Sequence, residues 1–263
     1  MPQTILIVGG TEGIGFEVAK AIRTQPDALK TNRVIFGLVE PVKIERSATY
    51  FIGDVTNSEV RERAVRYCID KFGGIDTLVY SAGVITPIER IENLDMEAVK
   101  RTFDVNVFGA MAMVQLCLPY LRESRISNPL NAAHGKIIIL TSACDSAVTY
   151  HGWTPYCTTK AALTRFISCL AHEERLICIQ GVYPKLTRTK MPKDVIAGKY
   201  EGVMADHEIE RFKIWDEVGD EMVEPPEWCG EAVAKLALGL FEGGKSGETL
   251  YYDEHVPKKI TGT

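Results

Sequence analysis

Short apolar runs, rich in β-branched residues, alternate along this chain with longer stretches in which apolar positions recur every three or four residues. The runs fall at 4–8, 34–39, 50–52, 77–81, 136–141, 177–183 and 249–252. They are apolar at nearly every position rather than every second one, so they read as strands buried on both faces, as in a parallel sheet. The periodic stretches at 16–23, 58–71, 96–121, 159–173 and 226–240 read as amphipathic helices. Strand followed by helix, repeated in series, requires right-handed crossovers and predicts an α/β protein with a doubly wound parallel sheet. No Pro/Gly/Ser-rich linker interrupts the series, and residues 1–263 read as a single domain.

Two connections depart from this rhythm. About a dozen residues, Pro41 among them, join the second and third runs, too few for a full crossover helix. The segment at about 186–224 is long and mixed, with Phe212, Ile214 and Trp215 among many charges. A long segment in this place reads as a substrate-side loop or lid.

Composition narrows the function classes. Hydrophobic residues make up 46% and charged residues 25% of the chain, which is ordinary for a globular protein with a full core. Net charge is −5 without a basic block, which argues against a nucleic-acid partner. Seven dispersed cysteines (68, 117, 144, 157, 169, 178 and 229) contain no CxxC pair. They suggest neither a disulfide framework nor a metal site, and fit a reducing cytosol. No apolar run approaches the roughly 20 residues of a membrane helix, and no targeting segment precedes the first strand. A cytoplasmic protein with no membrane partner is the expectation.

The first strand runs into Val8-Gly9-Gly10-Thr11-Glu12-Gly13-Ile14-Gly15 and then a helix. Glycines there allow turns and close approaches that a Cβ forbids, and the helix aims free N–H groups and a positive dipole at a pyrophosphate. A Gly-rich tight turn without a ligand is the plainer alternative. With the strand–turn–helix setting, the fold class is Rossmann-type.

A second constellation is Tyr156-Cys157-Thr158-Thr159-Lys160. Residues four apart share a helix face, so an ammonium can stand by a phenol and lower its pKa from about 10. The same spacing recurs at Tyr67 and Lys71, where it reads as an ordinary helix face. Ser142, at the end of the fifth run, stands at the C-terminal edge of the sheet, where such folds bind ligands. It can hold a substrate oxygen toward Tyr156, or simply cap its own backbone. His151 reads as a packed or surface residue. Cys144 and Cys157 adjoin the site without a sign of activation, and Trp153, Val84 and Ile85 line the substrate side or belong to the core.

Together these motifs resemble the short-chain dehydrogenase/reductase family over essentially the whole chain. The glycine turn, Gly53-Asp54-Val55, Ser81-Ala82-Gly83, Asn106-Val107-Phe108-Gly109, Ser142 and Tyr156–Lys160 occur in the family's order. Finer features (Phe103-Asp104-Val105-Asn106, Gly152-Trp153, and Gly247 to Tyr252) resemble the sepiapterin and benzil reductase branch.

The resemblance implies a role for each residue. Tyr156 is the general acid or base, Lys160 binds the nicotinamide ribose and lowers the tyrosine pKa, Ser142 orients the substrate oxygen, and Asn106 holds a helix kink. Gly9, Thr11, Gly13, Ile14 and Gly15 belong to the pyrophosphate turn, Asp54 and Val55 to the adenine, and Ser81, Ala82 and Gly83 to the ribose side. Pro184, Leu186 and Thr189 lie at the nicotinamide end. No metal is implied.

Several positions depart from the family pattern. Val8 replaces a threonine, Ser81 an asparagine and Lys185 a glycine, and Ser142 lies one residue farther from Tyr156 than usual.

The cofactor is NAD(H) or NADP(H). Glu12 and Glu40, the latter about 25 residues beyond the turn, can accept bonds from ribose hydroxyls and repel a 2′-phosphate, by about 4 kcal/mol at 4 Å and an effective dielectric of 20. Lys43 and Arg46 can reach such a phosphate instead; the balance favours NAD(H). The expected reaction is hydride transfer to or from a small, largely apolar ketone or diketone, or the corresponding alcohol. A non-catalytic dinucleotide sensor on the same fold is the alternative. Apolar residues on a second face of the helices at 96–121 and 159–173 suggest a homodimer or homotetramer.

Overall fold

The computed structural model describes residues 2–25, 31–41, 47–124 and 134–257. Seven strands, β1 (Gln3–Val8), β2 (Thr31–Gly37), β3 (Ala48–Ile52), β4 (Thr77–Tyr80), β5 (Gly135–Leu140), β6 (Ile177–Tyr183) and β7 (Thr249–Tyr251), form one sheet. Their order is β3-β2-β1-β4-β5-β6-β7, and every neighbouring pair is parallel. The order reverses between β1 and β4, which opens a crevice at the C-terminal strand ends.

Burial on both faces explains the uninterrupted apolar runs. Leu6 and Val8 on one side pack with residues of α2 (Ser58–Phe72), α4 (Gly109–Arg122) and α5 (Thr154–Glu173). Ile5 and Ile7 on the other pack with α1 (Gly13–Thr24) and α8 (Pro226–Ala237). Successive side chains alternate between the two cores.

Helix starts lie earlier than periodicity suggests. The first helix begins at Gly13 and the fifth at Thr154, because a glycine turn and a Pro155 in the first turn carry no apolar signal although both suit a helix start. The helix expected at 96–121 is α3 (Met96–Phe103) and α4 joined by one π-turn, Asp104–Phe108. By length and composition alone, residues 96–122 are apolar enough to span a membrane, contrary to the expectation from uninterrupted runs. However, Ala110, Met113, Val114, Cys117 and Leu121 are buried in the main core.

The 186–224 segment is a folded excursion rather than a loop. It holds α6 (Lys190–Ile196) and α7 (Asp206–Val218), and its two ends meet in a bridge between Thr187 and Glu224. Between β2 and β3, Lys43 and Arg46 lie outside the described residues.

The chain's last described helix, α9 (Tyr252–His255), is pinned by a buried imidazole. His255 Nδ1 accepts from the Gly244 N–H at 2.9 Å, so Nε2 carries the proton and donates to the Gly181 carbonyl at 2.8 Å. Burial lowers its pKa from the usual 6.5. As pH falls, the unfolded chain takes up this proton first, so the contribution to stability is full above about 6.5 and declines below it. Thermal melts should therefore show wild type losing stability between pH 7.5 and 5.5 more steeply than His255→Gln. Parallel pH dependences in the two proteins would contradict this.

Candidate active site

The turn after β1 is built by backbone freedom. Gly9 has φ +80° and donates to the Phe36 carbonyl at 2.7 Å. A Cβ there would strike the backbone of Ala82, so the glycine lets β1's turn and β4's turn touch. A Cβ at Gly15 would strike the Gly9 carbonyl, which locks α1 to the turn. Gly13, at φ +55°, faces open space. Glu12 occupies the cap position of α1 but makes no side-chain cap bond. The N-terminal amides and dipole of α1 are thus left to an anion.

The far side of the crevice is organised by Asn106, which is fully buried within the π-turn. Its Oδ1 accepts from Val84 N at 2.8 Å, while Nδ2 donates to the Val84 carbonyl at 2.9 Å and to Thr159 Oγ1 at 3.0 Å. One amide therefore ties the turn after β4 to α5. On α5, Lys160 reaches back to the Leu140 carbonyl at 3.1 Å, with its ammonium 5.5 Å from the Tyr156 ring centroid. The Ser142 hydroxyl lies near enough to the Tyr156 phenol to lower its pKa. The serine hydroxyl also accepts from Cys144 N at 3.2 Å. Ser142 therefore opens on the same crevice as Tyr156 despite its extra residue of spacing.

The electrostatics differ from the simple Tyr–Lys expectation. Burial, then the Cys144 thiol, hold the Tyr156 phenol well above its ordinary pKa, and the nearby Ser142 hydroxyl pulls the other way. Burial pushes Lys160 down to about 8. Its ammonium sits over the ring rather than at the oxygen, so it does little for the phenolate here. The neighbouring Cys157 thiol, against burial and with help from Ser142 and Lys160, holds the Cys144 pKa below its usual value.

One crevice of about 1370 Å³ connects these groups, larger than the roughly 300–1,000 Å³ of most small-ligand sites. Gly9, Thr11, Glu12, Gly13 and Ile14 line one end, and Asp54, Val55, Ser81, Ala82 and Gly83 its floor. Ser142, Tyr156, Lys160, Pro184, Leu186 and Thr189 line the other end. Asn106 and Gly15 lie behind these walls rather than in them. Glu40 is exposed and not part of the lining; Leu38 is the last residue of that strand end to face the crevice. Lys185 lines the wall, but its ammonium pairs with Asp253, 3.9 Å from Glu224. Tyr67 shares a hydrogen bond of 3.2 Å with Thr49 and packs on Phe51 and Phe72, as an ordinary helix face does.

Sequence reasoning missed Arg101, which pairs with Asp54 and donates to Thr56 Oγ1 at 2.9 Å. It missed Asp145 as well, whose carboxylate accepts from Thr164 and Tyr183, each at 2.5 Å. Two separate elements, α5 and β6, converge on that carboxylate, and no spacing rule links them. Tyr150, Trp153 and Phe212 form an aromatic cluster against Tyr156. Glu208 of α7 holds His151 at 3.0 Å, so this histidine fastens the excursion rather than facing the chemistry. Among the described residues no His/Cys/Asp/Glu cluster suits a metal.

Comparison with known proteins settles the family. The sequence matches the family described as short chain dehydrogenase over residues 3–199. The chain belongs to the short-chain dehydrogenase family. It is 26% identical to an uncharacterized oxidoreductase of Saccharomyces cerevisiae, YIR035C, across 97% of both chains. It is 28% identical to that yeast's benzil reductase ((S)-benzoin forming) IRC24, again across 97% of both. Among solved structures, the KRED1-Pglu enzyme superposes with a TM-score of 0.82 at 28% identity, covering 94% of this chain and all of that one. The chain is thus a short-chain dehydrogenase of the benzil reductase-like branch, and the family uses a nicotinamide cofactor. The open glycine turn and uncapped helix start described above fit that group's pyrophosphate.

Asn106→Ala should cost about 2–5 kcal/mol in urea unfolding, because several hydrogen bonds go and Val84 and Thr159 lose partners. Unchanged stability would show that the amide does not bind the two elements together.

Proposed function

We propose that this protein is an NAD(P)-dependent carbonyl reductase or alcohol dehydrogenase acting on a small, largely apolar ketone or diketone. The observation that carries this reading is the convergence of the Tyr156 hydroxyl, the Ser142 hydroxyl and Lys160 in one crevice with the glycine turn. Val84, Ile85, Val148, Trp153, Met191 and Phe212 give the substrate end an apolar, partly aromatic wall. The similarity to a benzil reductase supports a ketone flanked by apolar groups.

When bound, the nicotinamide supplies or accepts the hydride. The protein's part is geometry and proton transfer. Ser142 holds the carbonyl oxygen, and Tyr156, kept neutral by burial, delivers the proton from its Oη as charge develops. Lys160 binds the ribose hydroxyls, and the Asn106 tie keeps α5 in place.

For cofactor choice, Glu12 favours NAD(H), and Leu38 offers no base at the end of β2. With Glu40 outside the crevice wall, Glu12 carries that preference. Lys185, engaged with Asp253, leaves the pocket clear, so no observation favours the sensor reading. The 186–224 segment covers the substrate end and sets specificity.

Tyr156→Phe should lower kcat for diketone reduction by about 10²–10⁴-fold with the Kd for NADH nearly unchanged. A Phe variant as active as wild type would refute the proton-donor role. Cofactor affinity should also respond to pH. Lys160, with its pKa near 8, is a cation below that pH and neutral above it. NADH binding followed by fluorescence should weaken as pH rises through 8, and affinity that stays flat to pH 10 would contradict the ribose role.

A further inference from the structure

The turn that carries Ser142 leaves the sheet where strand pairing stops. Thr141, just past β5, still donates its N–H to the Val182 carbonyl of β6 at 2.9 Å. From Ser142 the chain departs, and thirteen residues separate it from Tyr156. Ser146, Ala147 and Thr149 among them are exposed, so solvent rather than packing borders much of the stretch. Asp145 N–H donates to the Ser142 carbonyl at 3.0 Å, and the N–H groups of Ala147 and Val148 donate to the Ala143 carbonyl, each at 3.0 Å. These bonds fold the turn on itself without attaching it to a neighbour.

One side chain makes the attachment. Asp145 Oδ2 accepts from Thr164 Oγ1 and from the Tyr183 hydroxyl, each at 2.5 Å, while Oδ1 accepts from Ser146 Oγ at 3.0 Å. Thr164 lies on α5 one helical turn beyond Lys160. Tyr183 closes β6 immediately before Pro184 of the crevice wall. Burial, then the Asp145 bond, push the Tyr183 phenol up to about 12, so it stays a donor near neutral pH. Ser142 is therefore bracketed. On one side stands the sheet ladder, and on the other a carboxylate bound to the helix that carries Tyr156 and Lys160.

We propose that Asp145 is a positioning residue, which holds the Ser142 hydroxyl in register with Tyr156 by tying the serine turn to α5 and β6. Asp145 lies outside the crevice wall, so it acts through Ser142 and not on the substrate. Two donors on different elements fix the turn in a way that a single bond, free to swing, would not. The effect on turnover rests on the function proposed above, but the tie itself does not.

The test uses the full chain with NADH and an aromatic diketone. Asp145→Ala should lower kcat and kcat/KM together by about 10–100-fold, the scale of loss from a displaced group, with the Kd for NADH nearly unchanged. Asp145→Asn should keep most of the activity, because one amide oxygen can accept from both hydroxyls. A loss as deep as that of the alanine variant would overturn the acceptor role. Adding Asp145→Ala to Ser142→Ala should slow the enzyme no further; a second loss as large as the first would show that Asp145 does not act through Ser142. If the alanine variant does not fold, Thr164→Val combined with Tyr183→Phe removes the same two bonds and should show the same loss. Wild-type turnover in that variant would overturn the proposal. Amide exchange read by mass spectrometry reports the tie without turnover. Residues 143–148 should exchange faster in Asp145→Ala than in wild type, with 157–170 unchanged, and equal protection at 143–148 would contradict the tie. Should wild type reduce no diketone, the functional reading fails, while the exchange result still decides whether Asp145 holds the turn.

Discussion

A single buried amide holds the working parts of this molecule together. Asn106 sits in a π-turn because the helix from Met96 to Arg122 cannot keep a regular ladder and also present that side chain to two neighbours. The turn frees the Val105 carbonyl, which accepts from the Tyr80 hydroxyl at 2.5 Å. The amide itself bonds Val84 and Thr159. One irregular turn thereby fixes the end of β4, which floors the crevice, against α5, which carries Tyr156 and Lys160. Because these groups are buried, leaving them unpaired would cost more than pairing them gains.

Around that tie, the site divides into an anion end and an apolar end. Glycines bring β1 and β4 into backbone contact and leave the start of α1 open to a pyrophosphate. At the other end, burial sets the protonation states, keeping the phenol neutral and the lysine near 8. Low dielectric works in both directions here. It makes the tyrosine a poor base on its own and, in the reaction proposed above, an acid for a carbonyl oxygen that begins to gain charge.

Much of this was legible in the residue pattern. Strands buried on both faces wrote themselves as unbroken apolar runs, and the glycine turn, Ser142 and Tyr156–Lys160 were visible because their chemistry needs particular residue types at short spacing. What stayed hidden has no local signature. Helix starts at Gly13 and Thr154 carry no apolar period, and α7 mixes charges around its surface so that its residues read as loop. Asp145 draws on Thr164 and Tyr183 from elsewhere in the chain. Glu40 looked well placed for a ribose by count alone, but the chain turns so that Leu38 faces the crevice. The lowered pKa of Cys144 reflects groups that meet only in the fold, namely Cys157, Ser142 and Lys160.

In the proposed reaction this crevice positions a carbonyl carbon for hydride transfer while Tyr156 protonates its oxygen. The most direct measurement follows deuterium from NADH labelled at the transferable C4 position into the alcohol formed from an aromatic diketone, by mass spectrometry of the product. One deuterium is expected on the carbinol carbon of each product molecule, with far less product from the phenylalanine variant. A wild-type protein that binds the labelled cofactor yet forms no deuterated alcohol from any diketone or aromatic ketone would contradict it.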